Sequence, residues 1–401
     1  MNVFLIPSWY PSPSQPISGI FVKEEAQFIA ELHPEISIVV SLHGQDAYAL
    51  YLKRPLAILS VLWSFIWKGK GSKTEQLPNL SIINTPCLTW SPRLLEGNMG
   101  GIIEAHKKNF RYVMTHIGKP DLIHAHVTYP AGWIAMHLSK EFGVPYIIKE
   151  CMGPFPFAIP LFINDDGSLM RRIREPLENA AQVVVMSPSL ADSMASFELK
   201  RPLVIPYPVD DRRFALVRHL RNKKFQFFTL CGLSPEKGIP DLLRAIPLAL
   251  RETPNMHFKI GGIGRDEEYK QLSQMLGIAD FVEWLGPVSR EDAPRYFSEC
   301  DAFIMLSHLE TYGMVYAEAI ASGKPVIATR CGGAEFIINN ENGFLVDVGN
   351  IEQITEVIID MYRNYDKFDD NLIRQGFLAR FSRCAIVEKL IKCYVDILGR
   401  V

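Results

Sequence analysis

At 401 residues the chain is long enough for two domains of ordinary size, and 48% hydrophobic residues are ample for two cores. A net charge of −2 offers no basic surface for bulk nucleic-acid binding. Seven cysteines occur without a C-x-x-C or paired Cys/His spacing, which argues against a zinc site or disulfide framework and for a reducing cytosol.

Met1 leads directly into the strand-like run VFLI with no basic segment before it, so no secretory signal is expected. Short apolar runs then alternate with helical segments along the whole chain, the pattern of a parallel α/β sheet. In the first half, strands are predicted at residues 3–6, 36–42, 80–83, 122–125, 146–148, 183–186 and 204–205. The segment from Tyr51 to Lys73 stands apart. Its apolar core, Leu56 to Trp67, is flanked by Lys53, Arg54, Lys68, Lys70 and Lys73, and Trp63 and Trp67 suit a bilayer interface. About a dozen apolar residues are too few to span a bilayer, and no other stretch reaches the roughly 18 that would. Two readings stand: a helix docking on an anionic membrane, or a core-facing helix with a basic end.

After the proline-rich IPYPVDD, strands are predicted at residues 225–230, 257–260, 281–284, 303–306, 326–328 and 344–346. Two doubly wound domains facing one another put the ligand at the carboxyl ends of the strands. SPEKG (residues 234–238) sets Lys237 in a turn after the strand FQFFTLC, where an ammonium can reach a diphosphate. The loop Gly262-Ile263-Gly264 fails as a dinucleotide fingerprint, because Glu267 stands where the third glycine belongs. The turn after the first strand, PSWYPSPSQPISG, lacks that fingerprint too, which argues against a nicotinamide oxidoreductase.

The stretch HLETYGMVYAEAIASGKPVIA (residues 308–328) says most about chemistry. Glu310 falls in a strand-to-helix loop, Gly313 lets the backbone turn into a helix ending at Gly323, and Glu318 lies about a turn and a half in. The free amides of that helix start, at Met314 and Val315, make a ready phosphate site. A carboxylate is a natural acceptor for sugar hydroxyls, so the pair of glutamates beside it suggests a sugar nucleotide. Two glutamates alone also fit a solvated loop and a helix surface.

The text around them resembles the retaining GT-B glycosyltransferases of family four. Glu310 and Glu318, with seven residues between them, are followed by Ala319 to Ala328 in the pattern A-x-A-x-G-x-P-V-I-A, then by Gly332, Gly333 and Glu335. FLIPSWYPSPSQPISGIFVKEEA, DLIHAHVTYPAGW, IPYPVDDRRF, SPEKG and GGIGRDEEY match the rest of the family in order. The resemblance implies a GT-B fold of two facing Rossmann-like domains: residues 1–206 for the acceptor, a linker at 207–222, residues 223–375 for the nucleotide sugar, and a helix at 376–401 packing back on the first domain. It implies that Lys237, Gly262, Gly264, Gly313, Met314, Val315 and Glu318 bind a UDP- or GDP-type sugar, with Glu310 on the transferred sugar and Glu318 on the ribose. Ser18, Gly19 and Tyr129 fall on the acceptor side. No cofactor or metal is implied, since the nucleotide diphosphate sugar is a co-substrate.

Two positions depart from the family. Gly232 stands where an arginine usually contacts the diphosphate, which leaves Lys237 with more to do, and Cys151 stands where a donor-side histidine is usual. Glu150 and Cys151 are the groups that can occupy that space, and His126, at the end of the strand DLIHAH, is the remaining candidate for a polar group near the acceptor; Glu310, His126 and Glu150 are the catalytic candidates. The implied reaction is sugar transfer with retention onto a glycan or lipid-linked acceptor, in surface polysaccharide, lipopolysaccharide or glycolipid synthesis. The implied location is the cytoplasm, at the inner face of the plasma membrane if residues 51–73 dock there. A non-catalytic sugar-nucleotide-binding partner and a GT-B epimerase or synthase with a soluble substrate are the alternatives.

Overall fold

The computed structural model describes residues 1–50, 55–91, 97–156, 162–217 and 224–399. The chain divides into two compact units. Unit 1 comprises Met1–Val185, Ala191–Ile205 and Val387–Val401, and unit 2 comprises Met186–Leu190 and Pro206–Ile386.

In chain order, unit 1 contains β1 (Asn2–Pro7), α1 (Ile20–Leu32), β2 (Ser37–Leu42), β3 (Ala49–Leu50), α2 (Pro55–Lys68), β4 (Ser72–Leu77), β5 (Leu80–Asn84), β6 (Thr89–Trp90), α3 (Met99–His116), β7 (Leu122–His126), α4 (Trp133–Phe142), β8 (Tyr146–Glu150), α5 (Arg171–Asn179) and β9 (Gln182–Val185). Helix α6 (Pro188–Ala195) and β10 (Leu203–Val204) follow. Eight strands form one sheet in the order β10-β9-β8-β7-β1-β2-β5-β4, parallel throughout except for β4 against β5. The central strands β1, β7 and β8 are buried along nearly their whole length, because helices cover both faces of a parallel sheet, and β7 and β8 bury polar His124, His126, Lys149 and Glu150 among their apolar residues. By contrast, SKTEQL of β4 is polar and mostly exposed, as an edge strand should be.

Unit 2 contains β11 (Phe225–Leu230), α7 (Ile239–Glu252), β12 (Met256–Gly261), α8 (Asp266–Met275), β13 (Val282–Gly286), α9 (Ala293–Glu299), β14 (Ala302–Met305), α10 (Met314–Ala321), β15 (Val326–Thr329), α11 (Ala334–Ile337), β16 (Gly343–Val346), α12 (Ile351–Arg363) and α13 (Asp370–Phe381). Its six-stranded parallel sheet runs β13-β12-β11-β14-β15-β16, the doubly wound order. Phe227 stacks on Phe258 at 5.0 Å across β11 and β12, and α7 and α12 bury Leu243, Ile246, Ile354 and Ile358 against the same sheet. Asn350 and Asp369 cap α12 and α13 by accepting from the backbone amides of Gln353, Asn371 and Leu372.

The stretch expected to act as a linker is anchored within unit 2 as far as it is described. Arg374 Nη1 donates to Phe214 O at 2.8 Å, and Arg383 Nε to Asp211 Oδ1 at 2.9 Å. Positions 218–222 of that expected linker lie outside the described residues. Helix α14 (Arg383–Leu398) belongs to unit 1 from Val387 onward, later than the expected return at 376. Within unit 1 its Tyr394 hydroxyl is paired with His124 Nδ1 at 2.7 Å.

Candidate active site

Each sheet reverses its winding once, between β1 and β7 in unit 1 and between β11 and β14 in unit 2. At such a switch point the two neighbouring loops diverge, and the carboxyl ends of the strands open a crevice for a ligand.

In unit 2 the loops after β11 and β14 carry Lys237 and Glu310. The left-handed Gly238 (φ +68°) follows Lys237, and a Cβ there would lie 2.0 Å from Leu306 O, so only glycine lets the first loop pack this closely on the end of β14. His308 N donates to Glu236 O at 2.8 Å, tying the loops together. Lys237 Nζ consequently reaches Glu310 Oε1 at 2.5 Å, and Ser307 Oγ donates to the same oxygen at 2.9 Å. Glu310 is also held by its backbone, which bridges Gly332.

Gly313 (φ +83°) turns the chain into α10, whose first amides, at Met314 and Val315, have no acceptor within the helix. Glu318 is 3% exposed, and Arg290 Nη1 donates to its Oε1 at 3.4 Å. Gly262 and Gly264 lie at the end of β12 against the Cys231–Leu233 segment: Leu233 N donates to Ile263 O at 2.9 Å and Arg265 N to Leu233 O at 3.0 Å. Burial pushes the Cys231 thiol up to about 12, so it stays protonated and is no nucleophile. His308, beside Glu310, pairs with Asp241 at 2.7 Å.

The donor residues expected from sequence, Lys237, Gly262, Gly264, Glu310, Gly313, Met314, Val315 and Glu318, thus fall on the loops and helix start after β11, β12 and β14. Sequence reasoning missed Arg290 and Ser307. Ser307 lies three residues before Glu310, where a strand-end hydroxyl within reach of a loop carboxylate is a usable local signal.

The unit 1 switch point gathers the other candidates. Ser8 Oγ donates to His126 O at 2.9 Å and accepts from Ala131 N at 3.3 Å, which joins the loops after β1 and β7. Gly19 caps α1 in a left-handed conformation after Ser18. Tyr129 is half-buried, with Phe162 edge-on at 5.9 Å and the Arg172 guanidinium 5.8 Å from its ring.

Glu150 is turned into the fold. Thr128 N and Oγ1 donate to its Oε2 at 2.8 and 2.7 Å, and Cys151 N and Met152 N to its Oε1 at 2.9 and 2.8 Å. Its carboxylate therefore holds the loops after β7 and β8 in place.

His126 is buried too, stacked on His124 at 4.2 Å with Nε2 3.7 Å from Glu25 Oε1. The donor atoms of Glu25, His124 and His126 lie within 4.8 Å of one another, a ligand set in type. The Lys149 ammonium, however, bonds to the Glu25 carboxylate inside the same cluster. It supplies the positive charge that a divalent ion would bring, and it would repel such an ion. Desolvation raises the Glu25 carboxyl and lowers the Lys149 ammonium, while their mutual attraction opposes both shifts. Desolvation also drives both imidazoles well below the ordinary range, so they are neutral at physiological pH.

The glycosyl transferases group 1 family model matches residues 211–378, the segment that carries the unit 2 switch point. The D-inositol 3-phosphate glycosyltransferase of Corynebacterium diphtheriae is 30% identical over 401 residues, covering 88% of this chain and 90% of that one. Among solved structures, sucrose-phosphate synthase from Thermosynechococcus elongatus superposes with a TM-score of 0.74 at 19% identity, covering 100% of both chains. The Anabaena HepE protein in complex with UDP gives 0.68 at 17%, covering 98% of this chain and 99% of that one. Sequence along nearly the whole chain and fold in both units agree: this is a GT-B protein, and it belongs to the group 1 glycosyl transferases.

Proposed function

We propose that this glycosyltransferase moves a hexose-type sugar from a UDP- or GDP-type donor to an acceptor hydroxyl with retention of anomeric configuration. The observation that carries the reading is the meeting of Lys237, Glu310 and the α10 start at one switch point. A cation and free helix amides suit a diphosphate leaving group, and the carboxylates suit sugar and ribose hydroxyls. In the HepE structure the bound molecule is UDP, a nucleotide of the class proposed here.

In the step proposed, the bond from the anomeric carbon to the diphosphate oxygen breaks and a bond to the acceptor oxygen forms on the same face. The acceptor proton passes to the departing phosphate oxygen. No protein nucleophile takes part, and Lys237 with the amides of Met314 and Val315 neutralises the leaving group in place of a metal. Acceptor recognition is assigned to the unit 1 loops that carry Ser18, Gly19 and Tyr129.

The acceptor proposed is a glycan or lipid-linked glycan of surface polysaccharide or glycolipid synthesis, reached at an anionic membrane. Among the described residues no helix is long and apolar enough to cross a membrane. Helix α2, however, exposes Leu59, Trp63, Ile66 and Trp67 along one face, each at least 65% accessible, with the exposed Lys70 beyond its end. An apolar face with interfacial tryptophans and basic flanks suits an anionic bilayer surface. Lys53 and Arg54 of the expected flank lie outside the described residues.

Incubation with a panel of UDP- and GDP-sugars, followed by NMR of the product's anomeric configuration with and without chelator, tests the reading. Retention that survives chelation is expected. An inverted product rules out the retaining step, and nucleotide binding without transfer or donor hydrolysis points to a non-catalytic binding partner.

A further inference from the structure

Glu318 is an awkward residue to bury. An ionised carboxylate taken out of water is costly unless a cation or hydrogen-bond donors compensate it, and Glu318 is almost wholly covered within α10. Arg290 reaches it from a different part of unit 2, the loop after β13. That loop is built to hold its shape: Ser289 Oγ donates to Asp292 Oδ2 at 2.7 Å and accepts from Asp292 N at 3.0 Å, and Ala293 N closes on Ser289 O at 3.0 Å as α9 begins. The Arg290 side chain is 25% exposed, so its guanidinium lies at the margin between the buried carboxylate and solvent. A planar guanidinium fixes the direction as well as the charge of the carboxylate it contacts.

We infer that Arg290 is a positioning residue for the donor's ribose: it holds the Glu318 carboxylate ionised and oriented to accept the ribose hydroxyls, and so sets the preference for ribonucleoside over deoxyribonucleoside diphosphates. This rests on the proposed role of Glu318 at the ribose. The physical basis is the asymmetry of buried hydrogen bonds. A carboxylate fixed to receive hydroxyls loses its partners when the ligand lacks them, and the site then rejects that ligand. Without Arg290 the carboxylate loses the guanidinium that directs it, and the rejection fades.

The test is titration calorimetry of the full chain with UDP or GDP, whichever the parent binds more tightly, and with the matching 2′,3′-dideoxynucleoside diphosphate. The parent is expected to favour the ribonucleotide by at least tenfold. In Arg290→Met this preference should fall to threefold or less, through weaker ribonucleotide binding with little change for the dideoxy ligand. Arg290→Lys, which keeps the charge but not the fork, should keep an intermediate preference. The double variant Arg290→Met/Glu318→Gln removes both charges and avoids stranding a buried carboxylate, so it serves if Arg290→Met folds poorly. It should discriminate no worse than Glu318→Gln alone.

An Arg290→Met protein with the parent's preference, or one that loses both ligands equally, overturns the inference. A Glu318→Gln protein that still discriminates like the parent overturns the ribose reading itself, and a parent that binds neither ligand overturns the proposed donor class. The three failures are therefore distinct.

Discussion

Lys237 and Glu310 satisfy one another before a donor arrives, so substituting either changes two things at once. Removing the ammonium deletes the charge-assisted hydrogen bond proposed to the diphosphate, and Lys237→Ala should cost about 1.5 to 3 kcal/mol of nucleoside diphosphate binding by calorimetry. Affinity for the nucleoside should hardly change, and an equal loss for both ligands would place Lys237 away from the phosphates. Glu310→Gln works in the opposite sense. A diphosphate without its sugar must draw Lys237 from a carboxylate that gains nothing in return, so the amide should leave free nucleoside diphosphate binding equal or tighter by up to about 1 kcal/mol, the scale of a partly exposed ion pair. Turnover should still fall, because the contact proposed to the transferred sugar is weakened. Weaker nucleoside diphosphate binding in Glu310→Gln would show that the Lys237 contact does not compete with the ligand.

Among the elements, α2 joins an ordinary helical sequence to an unusual exposure. The sequence left open whether its apolar run faces a core or a membrane, and the structure turns four large apolar side chains outward. Because Trp63 and Trp67 are exposed, with their rings tilted against each other at 5.5 Å, changing both to Ser should not unfold unit 1. It should lower sedimentation with anionic vesicles, while neutral vesicles bind the parent less and rising salt releases it. A parent that ignores anionic vesicles removes the membrane reading. The central strands and α10 were legible in sequence for a physical reason: parallel strands buried on both faces read as apolar runs, and glycines mark both ends of α10. Strand β4 was not legible, because a polar edge strand has no apolar period to detect. Neither was the Arg290–Glu318 pair, which joins residues 28 positions apart through a loop whose sequence, SRED, looks like any solvated turn. Glu150 and His126 show the converse: their residue types suggested catalysis, but only packing shows that both side chains are buried inside unit 1.

At the scale of the whole molecule, the two units differ in how their histidines are placed. Unit 1 buries His43, His106, His124 and His126, and desolvation lowers all four: His43 to about 4, the others well below the ordinary value. The described histidines of unit 2, His257 and His308, keep partial exposure. A histidine whose native pKa is depressed binds its proton more readily in the unfolded chain. Its stabilising contribution is therefore present above the unfolded value of about 6.5 and is lost as pH falls toward the native value. Each such group removes on the order of 1 kcal/mol of stability per pH unit within that window. Glu25 and Glu150 act the other way, since burial raises their carboxyls and the native state takes up those protons first, but the four imidazoles outnumber the two carboxyls. Unit 1 should therefore open at a higher pH than unit 2 on acidification from about 6.5. Hydrogen exchange followed by mass spectrometry, corrected for the intrinsic rate at each pH, should show peptides of β1, β7 and β8 losing protection while those of β11, β12 and β14 keep it. Loss in unit 2 first, or in both at one pH, would mean that the buried imidazoles do not govern the acid limit of this fold.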